Sequence, residues 1–187
     1  MALWQADYIQ SKLESAGIST EIVIIETKGD KILDRALSKI GSKGVFTEEL
    51  EEQLHSGVID IAVHSAKDLQ SELDESLSII AFTEREKIND VLVSHKEIDI
   101  KQSLVVGTSS TRRVAMLKAY FPHFKIVDMR GNLQTRIKKM EEGACDAILL
   151  AFAGVNRMKY NDMIRHEFDN EQFVPPVGQG TVAIEIS

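Results

Sequence analysis

A chain of 187 residues with 43% hydrophobic content is long enough for one large or two small packed domains and too apolar to be disordered. Its net charge of −7 argues against broad nucleic-acid binding, no apolar run approaches a membrane span, and Met1–Asp7 lacks the basic start and apolar core of a secretory signal. The single Cys145 excludes an internal disulfide and fits a reducing cytoplasm.

In chain order, Leu3, Ala6, Ile9, Leu13 and Ala16 recur at helical spacing, which predicts a helix over 2–16 stopped by Gly17. Ile18–Ile25 is rich in Ile and Val and reads as a strand. Thr27–Asp30 is a polar turn. The glycine-punctuated stretch Ile40–Phe46, with Lys43 inside it, suits either an anion-binding or moving loop or a plain connector. Thr47 is placed to cap a helix with Glu48 and Glu49 in its first turn, Leu50 and Leu54 facing inward and Gly57 at its end. Ile59–Val63 is an apolar strand that runs into His64-Ser65-Ala66-Lys67-Asp68. In open α/β sheets the carboxyl edge of a strand is where ligands bind, so Asp68 is a candidate catalytic carboxylate with Lys67 beside it; a turn-capping Asp is the plainer alternative. His64 continues the apolar run and reads as a buried strand residue. Leu77–Phe82 is another strand, and the charged stretch after it marks a crossing between lobes near Thr83–Asn89.

The second half alternates strand and helix: Leu104–Gly107, a helix carrying Val114, Leu117 and Tyr120, Lys125–Asp128, a helix capped by Asn132 with Leu133, Ile137 and Met140 on one face, then Ala147–Leu150. This rhythm predicts an α/β protein with mixed, mostly parallel sheets flanked by helices. The Pro-Pro-x-Gly pattern near Gln172–Gly178 marks a second crossing, and Val182–Ile186 is a last strand returning to the first half's sheet. The expected organisation is two lobes, residues 1–86 with 178–187 and residues 87–177.

Thr108, Ser109 and Ser110 sit where a strand turns into a helix, a place whose free backbone N–H groups favour anions. Arg112 and Arg113 follow at once, and Arg130, Arg136 and Arg157 lie at or near later strand ends. Guanidinium groups bind carboxylates through paired hydrogen bonds, so several around one cleft suit a small ligand with many carboxylates; surface arginines on helix faces are the alternative. No Gly-x-x-x-x-Gly-Lys loop is present for a nucleotide, and the five histidines and one cysteine show no zinc-ligand spacing. Trp4 and Tyr8 read as packing.

Together the segments Ala2–Ala6, Lys43–Phe46, Ala62–Asp68, Gly107–Arg113, Arg130-Gly131-Asn132 with Thr135-Arg136, and Val177–Gly180 resemble the porphobilinogen deaminase (hydroxymethylbilane synthase) family, in family order along nearly the whole chain. The resemblance implies a transferase of tetrapyrrole and haem synthesis that deaminates porphobilinogen and joins four units into hydroxymethylbilane on a covalent dipyrromethane primer. It also implies two lobes like those of type II periplasmic binding proteins, with the active site between them. By position, Asp68 matches the catalytic aspartate. Ser65, Lys67, Thr108, Ser109, Ser110, Arg112, Arg113, Arg130, Gly131, Arg136 and Arg157 match positions that hold acetate and propionate arms. Gln5 and Gln179 match cleft positions and Lys43 the lid loop. The family pattern further implies a piece lacking the first strand and the third domain, whose Cys carries the cofactor; Cys145 does not match that Cys, and no covalent dipyrromethane is expected on this chain. Glu48 stands where the family commonly has Lys, and Gln70 where it commonly has Pro. The expected partner is porphobilinogen alone, with no nucleic acid or membrane, in a cytoplasmic monomer. A two-lobed protein that only binds a small polycarboxylate is the other reading.

Overall fold

The structure, a computed structural model, describes residues 1–26 and 47–187. It divides into two compact units, Met1–Arg85 with Val177–Ser187, and Glu86–Pro176. The Thr27–Asp30 turn, the Ile40–Phe46 loop and Lys43 lie outside the described residues.

The first unit opens with helix α1 (Ala2–Ser15), which buries Gln5 and Ile9 and stacks Trp4 on Tyr8 at a ring-centroid distance of 5.3 Å. Ile18–Ile25 forms no strand. A strand persists only where a neighbouring backbone pairs with it. No described strand pairs with this segment, and Ile18, Val23 and Ile24 are exposed. Helix α2 (Glu48–His55) follows, with Leu54 buried. Thr47 occupies its N-cap position, yet its side chain does not cap; the buried hydroxyl instead accepts the Gln70 amide at 3.2 Å.

Strand β1 is Ala62–Ser65, shorter and later than the expected 59–63, because Ile59–Ile61 has no ladder partner. It leads into a 3-10 turn, Ala66–Asp68. Strand β2 (Ser78–Phe82) and the final strand, β8 (Val182–Ile186), complete a sheet of order β1-β8-β2. Both of its pairings are antiparallel, against the expectation of mostly parallel strands. The physical reason is the return of the chain: β8 enters between two strands of the first half from the end at which β1 finishes, so Val182 lies opposite Ser65. Leu54, Ala62 and Leu77 form the core of this unit, with Leu50 and Ile59 packed against them.

The second unit holds a five-stranded sheet of order β5-β4-β6-β3-β7, where β3 is Asp90–Val93, β4 Val105–Gly107, β5 Lys125–Val127, β6 Ala147–Ala151 and β7 Ile164–Glu167. Strands β4, β5 and β6 are parallel, as the strand-helix rhythm predicts; β3 runs antiparallel to β6 and β7. Helix α3 (Thr111–Tyr120) follows β4, α4 (Leu133–Glu141) follows β5, and α5 (Phe152–Arg157) follows β6. Hydrophobic clusters cover both faces: Leu117, Phe124, Phe168 and Phe173 on one, Met129, Ile137, Met140 and Val155 on the other. Sheet strands buried on both faces are near-continuously apolar rather than alternating; β6 is of that kind, and so is β3 apart from Asp90 at its start.

Candidate functional site

In the first unit the candidate residues gather on the turn after β1. Ser65 ends the strand and accepts the Gln5 amide from α1 at 2.8 Å. On its other side the Ala66 N–H donates to Thr181 O at 3.0 Å, which ties the turn to the approach to β8. Further on, Gln70 Nε2 donates to Thr47 Oγ1 and Glu51 Oε1, each at 3.2 Å, which ties it to the start of α2. Proline, with no side-chain donor, could not make that tie. Gln179 is buried, and its carbonyl accepts Arg85 Nε at 3.0 Å.

Asp68 closes the 3-10 turn, with an exposed face. The protein mass around it nevertheless desolvates its carboxyl and pushes it above the ordinary aspartate range, against the lowering pull of Lys67 and His64. His64 is buried, as its apolar run predicts, and its Nε2 lies 2.9 Å from Glu185 Oε2 on β8. Glu185 is wholly buried and escaped the sequence reading. The available signal was an acidic residue inside the apolar strand Val182–Ile186.

In the second unit, β4, β5 and β6 point their carboxyl ends to one edge, and the loops there carry the remaining candidates. The Thr108 N–H donates to Val127 O, Ser109 Oγ accepts the Met129 N–H at 3.0 Å, Thr108 Oγ1 accepts the Ser110 N–H, and Ser110 Oγ caps α3 by accepting the Arg113 N–H. A hydroxyl that accepts keeps its proton for donation. These three are therefore oriented donors beside the N-terminus of α3.

Arg112 and Arg113 turn to an anion inside the protein. Arg112 Nη2 donates to Asp90 Oδ2 at 2.6 Å and Arg113 Nη2 to Asp90 Oδ1 at 2.7 Å. Each guanidinium also donates to a carbonyl, Arg112 to Val174 O and Arg113 to Leu149 O. Asp90 is wholly buried, and burial works to raise its carboxyl. The ion pairs with Arg113 and Arg112 outweigh that and hold it below the usual aspartate range. The sequence reading did not single out Asp90, nor its strand.

Arg130 and Arg136 are a different pair. Among the described residues Arg130 is ion-paired with the exposed Asp128, at 3.6 Å. Arg136 Nε donates to the Gly131 carbonyl at 2.6 Å. Gly131 has φ of +113°, and a Cβ there would stand 2.7 Å from Thr135 Cγ2, so the loop that presents Arg130 requires glycine. Asn132 caps α4 as predicted, its Oδ1 accepting the Thr135 N–H at 2.9 Å. Burial, then the like charges of Arg113 and Arg130, push Arg136 below its ordinary value. Like charges held together inside a protein mark a place that an anion would stabilise. Arg157 ends α5, beyond the carboxyl end of β6.

Among the described residues no group of three or more His, Cys, Asp or Glu could hold a metal ion, and no helix is long and apolar enough to cross a membrane. Cys145 is buried, and desolvation raises its thiol.

Two α/β units, each with a sheet whose one edge carries the polar candidates, define the class by fold alone: an α/β protein with the fold of type II periplasmic binding proteins. Solved structures agree on the fold. The periplasmic VFT2 domain of Bordetella pertussis BvgS aligns with a TM-score of 0.52 at 18% identity, covering 98% of this chain and 70% of that one. The second substrate binding domain of a putative amino acid ABC transporter from Streptococcus pneumoniae aligns at 0.53 and 12% identity, covering 97% and 74%. The sequence is more specific. The profile described as porphobilinogen deaminase, dipyromethane cofactor binding domain, matches residues 1–187, and the chain belongs to that family. It is 62% identical over 188 residues to the porphobilinogen deaminase of Cytophaga hutchinsonii, covering 99% of this chain and 60% of that protein. It is 55% identical over 191 residues to that of Desulfosudis oleivorans, covering 100% and 62%. The chain thus spans about 60% of the length of these curated relatives.

Proposed function

We propose that this chain carries the reacting carboxylate and the carboxylate-binding groups of a porphobilinogen deaminase, with porphobilinogen as substrate and a linear tetrapyrrole as product. The observation that supports the reading is that the chain carries both kinds of group: a carboxyl held above its ordinary range at Asp68 in one unit, and mutually repelling guanidiniums at Arg130 and Arg136 in the other.

Porphobilinogen presents an aminomethyl group on a pyrrole with acetate and propionate arms. With the aminomethyl nitrogen protonated as an ammonium, the C–N bond breaks with its electron pair going to nitrogen, ammonia departs, and the methylene-pyrrole left behind is a cation. An ionised carboxylate that its surroundings destabilise gains most when a cation forms beside it, so Asp68 favours this step over the resting state. The carbon of the next pyrrole then attacks the methylene and loses its proton, and Asp68 can accept a pyrrole N–H hydrogen bond throughout.

Arg130 and Arg136 take substrate carboxylates, and Thr108, Ser109 and Ser110 add hydroxyl protons. Arg113, fixed on Asp90, contributes positive field to Arg136. The same donor set fits the dipyrromethane of the family description, whose pyrrole rings bear carboxylate arms, and Arg130, Arg136 and the three hydroxyls would hold it. When bound, it supplies the primer to which pyrrole units are added.

In the chain extended to the full length of its relatives, Asp68→Asn should lower turnover of porphobilinogen by about 100- to 1,000-fold, the usual loss for one electrostatic stabiliser, and leave porphobilinogen binding within a factor of a few. Near-normal turnover would remove Asp68 from the chemistry. Binding without turnover in the unaltered full-length protein would favour a polycarboxylate-binding protein instead.

A further inference from the structure

The turn that carries Asp68 is braced by Gln5 at Ser65, by Thr181 at Ala66 and by Thr47 and Glu51 at Gln70. The closest brace has no side chain at all. We infer that Gly178 is a positioning residue for Asp68. A Cβ built on Gly178 would stand 2.7 Å from the carbonyl carbon of Ala66, 2.9 Å from the Lys67 nitrogen and 3.0 Å from Ala66 Cβ. The two closest of these atoms are backbone, so no rotamer change can relieve the overlap.

Gly178 also has φ of +77°, a conformation that side chains other than glycine's rarely adopt. Thr181 N–H donates to Gly178 O at 3.1 Å, which closes a tight turn, and the same turn delivers Thr181 O to the Ala66 N–H. The segment 178–181 therefore lies flush against the peptide joining Ala66 to Lys67, one residue before Asp68. Its flat contact fixes where that carboxyl stands. The charges around it are His64 and Lys67 on its own segment, Glu185, which β8 sets against His64, and Glu51, which α2 sets against Gln70.

The importance of this placement rests on the reading of Asp68 as the reacting carboxylate; the placement itself does not, and its test needs no turnover. The side-chain carboxyl of Asp68, assigned with Asp68→Asn, is titrated by carbon-13 NMR in the 187-residue chain, in Gly178→Ala and in Gly57→Ala. Gly57 has φ of +68° and no atom within 4 Å of where its Cβ would stand, so its alanine carries the backbone strain without the contact.

Gly178→Ala is expected to lower the Asp68 midpoint by about half a pH unit, roughly a threefold change in its proton affinity, and to shift the Lys67 and Asp68 amide signals. Gly57→Ala is expected to lower thermal stability by less, through the backbone strain alone, and leave both unchanged. An unmoved Asp68 in Gly178→Ala, or an equal movement in Gly57→Ala, would overturn the inference. If Gly178→Ala does not fold, Gly178→Asn against Gly57→Asn decides in the same way, since Asn tolerates positive φ. Failure of both Gly178 variants to fold while the Gly57 variants do would overturn it too, by assigning the glycine to the fold at large. Normal turnover in full-length Asp68→Asn with a moved midpoint in Gly178→Ala would refute the chemistry and keep the placement.

Discussion

Asp68 and Asp90 are both aspartates at a sheet edge, yet their surroundings move them in opposite directions. In the second unit, Asp90 is wholly buried and clamped between two guanidiniums at 2.6 and 2.7 Å, and its carboxyl falls below the ordinary range. In the first unit, the described charges that act on Asp68 are Lys67 and His64, and desolvation outweighs them and carries it above that range. The difference teaches that burial alone does not decide whether a carboxylate is structural or reactive. What decides is whether its charge is already answered inside the protein. Asp90 is answered twice over and locks helix α3 to strand β3; at Asp68 the described charges do not outweigh burial.

The sharpest way to break this comparison is Asp90→Asn, which leaves Arg112 and Arg113 with no internal anion. Removing one partner of a buried ion pair costs about 3–5 kcal/mol, so urea denaturation should show the second unit unfolding well before the first. A loss under about 1 kcal/mol would mean that the carbonyls of Val174 and Leu149 suffice to hold the two arginines.

Next in size, Arg130→Leu removes a charge that, among the described residues, is paired with an exposed carboxylate and not a buried one. It should weaken porphobilinogen binding by about 1.5–3 kcal/mol, the worth of a hydrogen bond to a charged group, with little change in melting temperature. Calorimetric titration and a thermal melt read the two effects separately, and a large loss of stability would place Arg130 with the Asp90 group instead.

Acid separates the two aspartates by sign. The folded Asp90 carboxyl lies below its unfolded value of 3.8, so its stabilisation is present above that value and lost as pH falls through the depressed folded value. The folded Asp68 carboxyl lies above 3.8, so its ionisation costs stability, and that cost grows as pH rises from 3.8 through the raised folded value. Melting temperature followed from pH 7 downward should therefore gain from protonating Asp68 before it loses from protonating Asp90. Asp68→Asn should erase the first change and keep the second.

The smallest effect belongs to Gln70→Ala, which removes the amide tie to Thr47 and Glu51. It should cost about 0.5–1.5 kcal/mol by urea denaturation and raise amide exchange at Lys67 and Leu69. Unchanged exchange there would show that the Gln5 and Thr181 braces hold the turn unaided.

Much of the second unit was legible because its elements declare themselves locally. Leu133, Ile137 and Met140 mark one face of a helix, Asn132 its start, and the three parallel strands are separated by helices long enough to cross over them. His64 was legible for the same reason, as part of an apolar run. The direction of the first unit's strands was not, because pairing is settled by a strand more than a hundred residues away, as the 121-residue separation of His64 and Glu185 shows. Ile18–Ile25 has strand composition without a partner among the described residues, and composition cannot reveal whether one is there. Strand β7, Ile-Arg-His-Glu, lies at a sheet edge and shows no apolar alternation to find. Asp90 was hidden by ambiguity: an Arg-Arg pair after a strand looks the same whether its anion is a ligand or a buried side chain.

The central position of β8 in its sheet also orders events in time. On a ribosome, Glu86–Pro176 emerges complete while β1 and β2 still lack the strand that joins them, since they pair with β8 and not with each other. At about 5–20 residues per second, the stretch from β2 to β8 takes roughly 5–20 s to make. During that interval the later-born unit can already be folded, and the earlier-born one must keep two open strand edges apart from other chains. Of these two units the first is thus the later to become native, and the Asp68 turn, sealed by Gly178 and Thr181, is finished only when β8 arrives.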